Sequence, residues 1–382
     1  MNFDLNEAHK LIQQTIRQFA DEMVAPGSVE RDRSGEFPIT IFKQLAKMGY
    51  MGLPFPEKYG GAGGDTISFA IVTEELSRVC ASTGITYSAH ISLGGAPLVL
   101  FGTEQQKETY LVPICSGESF GAFGLTEPNA GSDAGGTQTE AKENGNDFVI
   151  SGNKVFITNA SYAQHLAITA ITARKDDVKE ISAIIVPTNA PGFTIKSNYE
   201  KMGLHASNTT ELILEDVVVP KENLLGEKGH GLKQFLTTLD GGRIGIAAMA
   251  VGIAQGALNK SLQYVTARKQ FGQRLAEFQT TQFKVADMAV KIELARNLVY
   301  KAAWLKDQGR PFGQIAAMAK LYASEMAMEV CDEAIQLHGG YGYMKEYEVE
   351  RYLRDAKLLE IGEGTSEIQK MVIARKLLKD LK

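Results

Sequence analysis

Cysteine is scarce in this sequence of 382 residues, and its three copies form no metal-binding or redox motif. Cys80, Cys115 and Cys331 lie far apart and are odd in number, so a disulfide framework is not indicated. We expect three buried free thiols in a reducing compartment. The six histidines contain no pair at the spacing of a zinc-binding helix. The sequence therefore gives no support for a metal site.

Positive charge is also in deficit. Lys and Arg together number 40 and Asp and Glu 45, which gives a net charge of −5. Proteins that bind nucleic acid usually carry a basic surface, so a nucleic-acid partner is not expected. A local basic patch for a small anionic ligand is compatible with this overall balance.

Long hydrophobic runs are missing as well. The most nearly apolar stretch covers residues 244–258 and is interrupted by Gly245, Gly252, Gln255 and Gly256. It is shorter than the ~20 residues needed to cross a bilayer. We therefore expect no transmembrane segment and interpret this stretch as a buried helix whose glycines permit close helix contact.

Two further signals are absent. Residues 1–7 lack the basic and apolar regions of a secretory leader, so we expect a cytoplasmic protein. No strand–GxGxxG–helix unit occurs anywhere in the chain. If the protein binds a dinucleotide, it does not do so with a Rossmann-type phosphate loop.

Hydrophobic periodicity divides the sequence into three parts. Residues 1–118 place apolar side chains at helical spacing, residues 119–228 contain β-branched runs separated by turn residues, and residues 229–382 are helical again. We predict an α+β fold that is mostly α. It has an N-terminal helical domain, a central antiparallel β-barrel or sandwich, and a C-terminal four-helix bundle.

Two local patterns make this prediction more specific. Residues 147–151 and 154–158 are strand-like and flank Gly152 and Asn153, which predicts a hairpin turn at those two residues. The bundle helices are predicted over residues 232–268, 280–309, 313–337 and 366–381.

The most informative residue is Glu363, which lies between Gly362 and Gly364 just before the last predicted helix. A glycine costs roughly 1 kcal/mol in a helix interior, but it removes side-chain bulk so that a ligand can approach closely. Ser366 and Gln369 have the spacing of a capping box. The pattern indicates a general base on a bare turn, although by itself it is also compatible with an ordinary surface turn.

Four motifs, in order along the chain, resemble signatures of the acyl-CoA dehydrogenases. They are residues 124–133 (GLTEPNAGSD), residues 268–272 (RKQFG) with Gln279, residues 336–342 (QLHGGYG), and residues 354–375 around Glu363. The resemblance extends over essentially the whole chain and is strongest to the short-chain, butyryl-CoA dehydrogenase-like branch.

This resemblance implies a reaction. A short- to medium-chain acyl-CoA would be oxidised to the trans-2-enoyl-CoA with FAD as cofactor, and the electrons would pass to an electron-transferring flavoprotein. A base removes the α-proton while a hydride leaves the β-carbon for the flavin. The family also implies a homotetramer.

Glu363 matches the position of the family's base. In other branches the base occupies the position of Gly241 or Gly242, where this chain has no carboxylate, although Asp240 is adjacent. Glu360 is expected to serve structure or surface. Glu127 lies inside the first motif, and there too a structural role is expected rather than acid–base chemistry.

The resemblance also implies the residues that bind the cofactor and the substrate. Phe156 departs from the tryptophan that the family often has, but an aromatic ring that can pack on the flavin is retained. The implied flavin residues are Phe123, Leu125, Thr126, Gly131 and Ser132 in the first motif, Phe156 and Thr158 beside it, Arg268, Gln270, Phe271 and Gln279 for the diphosphate and adenosine, Gln336, Gly339 and Gly340 from a neighbouring subunit, and Thr365 and Glu367 at the last helix. The implied substrate residues are Ser132, Asp240, Arg243 and Gly364.

Other functions stay open at this point. The same fold could serve a flavin-dependent enoyl-CoA reductase or an acyl-CoA oxidase, although typical oxidases are much longer. A non-enzymatic assembly or binding module is a remote alternative, because Glu363 and the flavin motifs are intact. The sequence does not determine the chain length of the acyl group or the direction of the reaction.

Overall fold

The computed structural model describes residues 4–176 and 178–379. The first three residues of the predicted N-terminal domain and the predicted helix end at residue 381 lie outside this range. The helices are α1 (Glu7–Phe19), α2 (Ser28–Ser34), α3 (Ile39–Lys47), α4 (Thr66–Val79), α5 (Ala81–Ala89), α6 (Ala96–Phe101), α7 (Glu104–Gln106), α8 (Val112–Ser116), α9 (Gly231–Ala267), α10 (Gln279–Asp307), α11 (Gly313–His338), α12 (Val349–Lys357) and α13 (Ser366–Lys379). The strands are β1 (Phe123–Gly124), β2 (Glu140–Asn144), β3 (Asp147–Thr158), β4 (His165–Lys175), β5 (Val178–Pro187), β6 (Phe193–Ile195), β7 (Thr209–Pro220), β8 (Leu224–Leu225), β9 (Lys269–Gln270) and β10 (Gln273–Arg274).

The N-terminal part consists of α1 to α8. Helix α4 packs between α1 and α9 and is buried on nearly all sides, which explains why its sequence is apolar around much of its circumference. The turn between α5 and α6, His90–Gly95, is π-helical and brings Leu93 against α9. Cys80 and Cys115 of this part are buried free thiols, as is Cys331 of α11, and all three therefore agree with the expectation from the sequence.

The central part is one sheet in the order β6-β7-β3-β2-β4-β5-β8, with β1 beside β4. Most neighbouring strands are antiparallel, and the predicted fold class is confirmed. Two short pairings are parallel: β1 with β4, and β2 with β4 at Glu140 and Ile171. The inner face forms its own apolar core, which includes Phe148, Ile150 and Leu214.

The predicted hairpin at Gly152 and Asn153 is wrong. Strand β3 continues through both residues and pairs with β7, with a register shift between Ile150 and Gly152. The turn lies earlier, where Gly145 has a φ of 60° between β2 and β3. Gly152 is required for another reason, because an added Cβ there would collide with Thr139 of the adjacent chain segment.

The C-terminal part contains the four long helices that the sequence predicts, within one or two residues at the ends that the structure describes. Helix α9 lies in the middle and packs against α4, α10 and α11. In the described part of the chain, α9 is the helix that is long and apolar enough to cross a membrane by length and composition. However, 89% of its most apolar 18-residue stretch is buried inside the protein. The bundle core therefore accounts for its apolar character, and the prediction of a buried helix is confirmed.

The glycines of α9 allow it to approach α4 at backbone distance. An added Cβ at Gly252 would collide with the carbonyl oxygen of Glu74, and one at Gly256 with the carbonyl oxygen of Arg78. These contacts fix how the N-terminal part is placed on the bundle.

We predict that Gly252→Ala lowers the melting temperature. Overpacking against a backbone carbonyl typically costs 1–3 kcal/mol, which exceeds the roughly 1 kcal/mol that alanine gains in a helix. Gly241→Ala in the same helix is the matched control, because its Cβ would meet only the flexible end of Lys306 at 3.4 Å. Calorimetry should show a loss for Gly252→Ala and no loss for Gly241→Ala. Equal shifts for the two variants would contradict this account.

Candidate active site

Glu363 occupies a strained turn between the short 3-10 segment Leu358–Glu360 and α13. Its φ is 54°, and the φ of Gly364 is 94°, so two successive residues lie in the left-handed region. For a residue other than glycine this conformation costs on the order of 1–3 kcal/mol, and it persists only where neighbouring groups hold it. The contacts around the turn are therefore part of the site.

Two buried side chains hold the turn through hydrogen bonds to its carbonyl groups. The carbonyl oxygen of Gly364 accepts a hydrogen bond of 2.7 Å from Lys320 Nζ and one of 2.8 Å from Gln369 Nε2. Gln369 Nε2 also lies 3.2 Å from the carbonyl oxygen of Glu363. Lys320 was missed by the sequence analysis, because a single lysine in a helical pattern is usually a surface position.

The predicted capping box of Ser366 and Gln369 is wrong. The first turn of α13 is instead capped by Thr365, whose hydroxyl oxygen accepts a long hydrogen bond of 3.4 Å from the backbone N–H of Ile368. The Ser366 hydroxyl is buried and has no partner among the described residues. Gln369 points back towards the turn because the two carbonyl groups there need donors.

The carboxylate of Glu363 is directed at α9. An added Cβ at Gly242 would collide with Glu363 Oε2 and would lie 3.3 Å from Leu93. Oε2 itself is buried and has no hydrogen-bond partner within residues 4–176 and 178–379. The two positions at which the family can place its base thus face the same space, and this chain has a carboxylate on one side and a bare glycine on the other.

Burial raises the pKa of Glu363 to about 7, while the positive charges of Lys320 and Arg243 act in the opposite direction. Glu363 as a whole is partly exposed, although its Oε2 is buried. A ligand can therefore reach the residue while the reactive oxygen stays away from water. A carboxylate with a pKa near neutrality can accept a proton more effectively than an ordinary surface carboxylate. The arrangement is suited to a general base.

Asp240 and Arg243 form an ion pair three residues apart on α9, and the positive charge of Arg243 acts on Glu363. Arg243 is only 5% exposed and its Nε has no partner in the described part of the chain. Because Arg243 is buried, the pair is not a simple surface salt bridge. A buried guanidinium with a free N–H can serve an anionic or carbonyl group of a ligand, so the substrate role of the pair stays a prediction with structural support.

A buried ion pair holds the backbone of the first motif, residues 124–133, in place. Lys154 of β3 donates to Glu127 at 2.7 Å, to Thr169 at 3.0 Å and to the carbonyl oxygen of Leu125 at 3.3 Å. Glu127 also accepts from the backbone N–H groups of Gln138 and Thr139, so the structural role expected for it is confirmed. Lys154 was another residue that the sequence analysis missed.

The loop above this ion pair lies beside Phe156. Thr126 accepts a backbone hydrogen bond from Val155, and Phe123 stacks on Phe235 with ring centres 3.9 Å apart. Phe156 has a φ of 60° and is 65% exposed, an unusual combination for an aromatic residue of a β-strand. The other predicted residues of this group are Leu125 and Thr158, partly buried, and Gly131 and Ser132, exposed.

A second group of predicted residues lies at the far end of α9. The Arg268 guanidinium lies over the ring of Tyr341, 5.5 Å from its centre, and this contact joins the RKQFG motif to the QLHGGYG motif. Phe271 is 94% exposed with a φ of 53°. Gln270, Gln279 and Gln336 are exposed, and an added Cβ at Gly339 or Gly340 would meet open space.

The length of α9 separates this group from Glu363 within one chain. Arg243 and Arg268 are 25 positions apart, and at a rise of 1.5 Å per residue this is about 37 Å along the helix. Thr365 and Glu367 instead lie at the start of α13 beside the base, where Thr365 is partly buried and Glu367 exposed. The structure therefore separates the predicted residues beside Glu363 from those beside Arg268 along the length of α9.

The residues present fit a flavin. An exposed aromatic ring in a strained conformation, Phe156, can pack on a planar ring system. Open backbone at Gly131, Gly339 and Gly340 permits close approach of a phosphate or a ring edge. The arginine at position 268 is exposed and can offset the charge of a diphosphate.

The site thus contains a buried carboxyl group whose pKa is about 7 and whose Oε2 has no partner in the described residues, an arrangement that suits a proton acceptor. Three family models match the chain: the acyl-CoA dehydrogenase N-terminal domain over residues 6–118, the middle domain over 122–217 and the C-terminal domain over 229–378. The chain belongs to the acyl-CoA dehydrogenase family.

Relatives with curated names agree with this. The chain is 60% identical to the probable acyl-CoA dehydrogenase YngJ of Bacillus subtilis, over 99% of this chain and 100% of that protein. It is 50% identical to the short-chain specific acyl-CoA dehydrogenase of Clostridium acetobutylicum, again over 99% and 100%. It is 46% identical to the caffeyl-CoA reductase-Etf complex subunit CarC of Acetobacterium woodii, over 98% and 99%.

Solved structures lead to the same branch. Butyryl-CoA dehydrogenase from Megasphaera elsdenii superposes with a TM-score of 0.96 at 46% identity, over 99% of this chain and 100% of that one. An acyl-CoA dehydrogenase from Bacillus anthracis, complexed with FAD, has a TM-score of 0.93 at 36% identity, over 99% and 68%. The chain is an oxidoreductase of the acyl-CoA dehydrogenase family, in its short-chain, butyryl-CoA dehydrogenase-like branch.

We predict that Gly242→Ala abolishes most of the turnover, because the new methyl group would occupy the position of Glu363 Oε2 and displace the carboxylate. The variant should keep its fold, since alanine is favourable in a helix. Gly241→Ala supplies the same change one residue away, where the Cβ does not face the carboxylate. A dye-coupled assay with butyryl-CoA should give a much larger loss for Gly242→Ala than for Gly241→Ala. Comparable activities in the two variants would show that Glu363 is not confined as described.

Proposed function

We propose that this protein uses FAD to oxidise a short- to medium-chain acyl-CoA to its trans-2-enoyl-CoA and transfers the electrons to an electron-transferring flavoprotein. The observation that carries the proposal is Glu363 Oε2, which is buried, has no partner in the described residues, and is directed across the bare surface of Gly242. An acyl chain would have to lie on that side for its α-carbon to reach the base.

In this proposal Glu363 accepts the α-proton of the thioester. Lys320 and Arg243 oppose the effect of burial and keep a useful fraction of the carboxylate ionised at neutral pH. Burial of Oε2 keeps water from competing for the proton. When bound, FAD supplies the acceptor for the hydride that leaves the β-carbon.

The residues that would hold the cofactor ring are those around Phe156. The Lys154–Glu127 ion pair fixes the backbone of Leu125, and Thr126 is tied to β3, so the loop is ordered before any ligand arrives. A prearranged loop avoids the entropy cost of ordering it on binding. The FAD-bound relative from Bacillus anthracis supports FAD as the cofactor.

The separation along α9 supports a shared site in a homotetramer. One FAD whose ring lies at Glu363 would have to extend about 37 Å to reach Arg268 of the same chain, which is further than its adenosine lies from its ring. A second copy that contributes Arg268 and residues 336–340 would resolve this. The exposed Phe271 and Tyr343 would then be covered by another subunit.

The direction of the reaction is the point on which a second function has specific support. The relative from Acetobacterium woodii is named as a reductase subunit of an Etf complex, which supports the electron-transferring flavoprotein as partner and also keeps an enoyl-CoA reductase as the second candidate. Comparison of rates with oxidised flavoprotein plus butyryl-CoA and with reduced flavoprotein plus crotonyl-CoA separates the two.

A cytoplasmic location is part of the proposal, and the three buried free thiols suit a reducing compartment.

We predict that Glu363→Gln reduces the rate of flavin reduction by butyryl-CoA about 10²–10⁴-fold, because the amide cannot accept the proton. The rate of the unchanged enzyme should rise with pH through about 7, since its base must lose a proton first, and the residual rate of the variant should not. Glu360→Gln is the matched control, because it makes the same change at a carboxylate that pairs with Lys357 and leaves the Glu363 carboxylate in place. Stopped-flow reduction at several pH values provides the measurement. A Glu363→Gln enzyme with full FAD content and near-normal reduction rates would overturn the assignment.

We also predict that the purified protein is yellow and releases one FAD per chain when denatured. The residues that fit a flavin would contact it through aromatic packing and open backbone, and neither contact requires a covalent bond. Phe156→Ala should weaken FAD retention because the exposed ring is its packing surface, whereas Val178→Ala, at another exposed apolar position of the sheet, should not. Visible absorbance of the purified protein measures its flavin content, and chromatography of the supernatant after denaturation identifies the flavin that is released. A colourless protein, FMN, or flavin that stays with the precipitate would each contradict the prediction.

A further inference from the structure

Lys320 is a charged residue in an otherwise small and apolar stretch of α11. The residue is 0% exposed and is surrounded along the helix by the buried Ala316, Ala317, Ala319 and Ala323. Burial of an ammonium group is costly unless it is paired or hydrogen-bonded. Its side chain makes a hydrogen bond of 2.7 Å to the carbonyl oxygen of Gly364, the residue that follows the base.

The hydrogen bond from Lys320 satisfies a carbonyl group of a strained turn. Glu363 and Gly364 both have positive φ, and the only groups seen to bind the Gly364 oxygen in the described chain are Lys320 Nζ and Gln369 Nε2. A hydrogen bond from an ammonium group is roughly twice as strong as one between neutral groups. Lys320 is therefore the stronger of the two anchors of a strained turn.

We propose that Lys320 is a positioning residue for the Glu363 base: its ammonium group holds the left-handed turn that aims the carboxylate at Gly242, and its charge favours the ionised form of that carboxylate. The inference rests on the proposed role of Glu363 and assigns Lys320 a part in the same reaction. Lys320 acts through Glu363 and need not touch the substrate.

The electrostatic half of the proposal follows from the charges around the carboxylate. Arg243 of α9 and Lys320 of α11 both favour ionised Glu363, against the effect of burial. Burial lowers the pKa of Lys320 to about 8, so its ammonium form still predominates at pH 7. Other charged groups on the packed elements include Asp240 on α9, Lys306 on α10, Glu325 on α11, Glu360 in the preceding turn, and Glu367, Lys370 and Lys376 on α13.

Gln369 allows the two halves of the proposal to be separated. It binds the same carbonyl oxygen as Lys320, at nearly the same distance, but carries no charge. Loss of Gln369 should loosen the turn and leave the pKa of Glu363 in place. Loss of Lys320 should loosen the turn and also raise the pKa of Glu363, because its positive charge favours the ionised carboxylate.

The experiment compares Lys320→Met, Lys320→Gln and Gln369→Leu with the unchanged holoenzyme. Lys142→Met is the control, since it removes a lysine charge from an exposed position on β2. Each protein is checked for FAD content and circular dichroism. Flavin reduction by butyryl-CoA is then followed by stopped flow across the pH range. The titration of Glu363 is followed without substrate, through the infrared carboxylic-acid band that is missing in Glu363→Gln.

For Lys320→Met we expect reduction at pH 7 to slow by about 10- to 100-fold, the range for loss of a hydrogen bond to a charged group. The pKa of Glu363 should rise by about one unit, in both the rate profile and the infrared titration, because a nearby opposite charge is lost. Lys320→Gln should show the same pKa rise, and Gln369→Leu a slower rate without it. Lys142→Met should change neither.

Three results would overturn the inference. The first is an unchanged Glu363 titration in a folded, FAD-replete Lys320→Met or Lys320→Gln enzyme. The second is a rate for Lys320→Met equal to that of Lys142→Met. The third is loss of secondary structure in both Lys320 variants, which would make the residue a requirement of the fold. Failure of the proposed function would be seen separately, as an unchanged enzyme that butyryl-CoA does not reduce or a Glu363→Gln enzyme that it does.

Discussion

The structure depends on one constraint: a carboxylate must be kept away from water, unpartnered, and still able to lose and gain a proton. Glu363 meets this requirement on a turn that ordinary residues avoid, with a φ of 54°. Burial alone would keep the carboxyl protonated, and the positive charges of Lys320 and Arg243 limit that effect, which gives a pKa of about 7. Arg243 on α9 and Lys320 on α11 thus act on the pKa of this carboxyl group, and Gln369 on α13 binds the carbonyl oxygens of its turn.

That balance explains features elsewhere in the chain. Helix α9 has a glycine opposite the carboxylate and further glycines where it meets α4, so the same helix approaches the base on one face and the N-terminal part on another. The small residues around Lys320 give space to a buried ammonium group. The β part contributes a second prearranged element, the Lys154–Glu127 pair, which fixes the loop beside Phe156. The turn at Glu363 and the loop beside Phe156 are therefore both ordered by buried charged groups, each of which has a specific partner.

Much of this could be predicted from the sequence, and the failures share a cause. The four bundle helices follow from periodicity, and the burial of residues 244–258 from their apolar character. The hairpin at Gly152 failed because a glycine required by a close contact looks, in sequence, like a glycine required by a turn. The capping box failed because the carbonyl groups of Glu363 and Gly364 compete for the Gln369 side chain. Lys320 and Lys154 give no local signal, since their partners are 44 and 27 residues away.

The most direct test of the account is a crystal structure of the holoenzyme with a non-oxidisable acyl-CoA analogue. The account predicts that the α-carbon lies about 3–3.5 Å from a carboxylate oxygen of Glu363, the distance of a near-attack arrangement, with the acyl chain passing over Gly242. Lys320 should still donate to the carbonyl oxygen of Gly364 in that complex. An analogue whose α-carbon lies beside Asp240, or a Glu363 carboxylate turned out to solvent, would contradict the central claim.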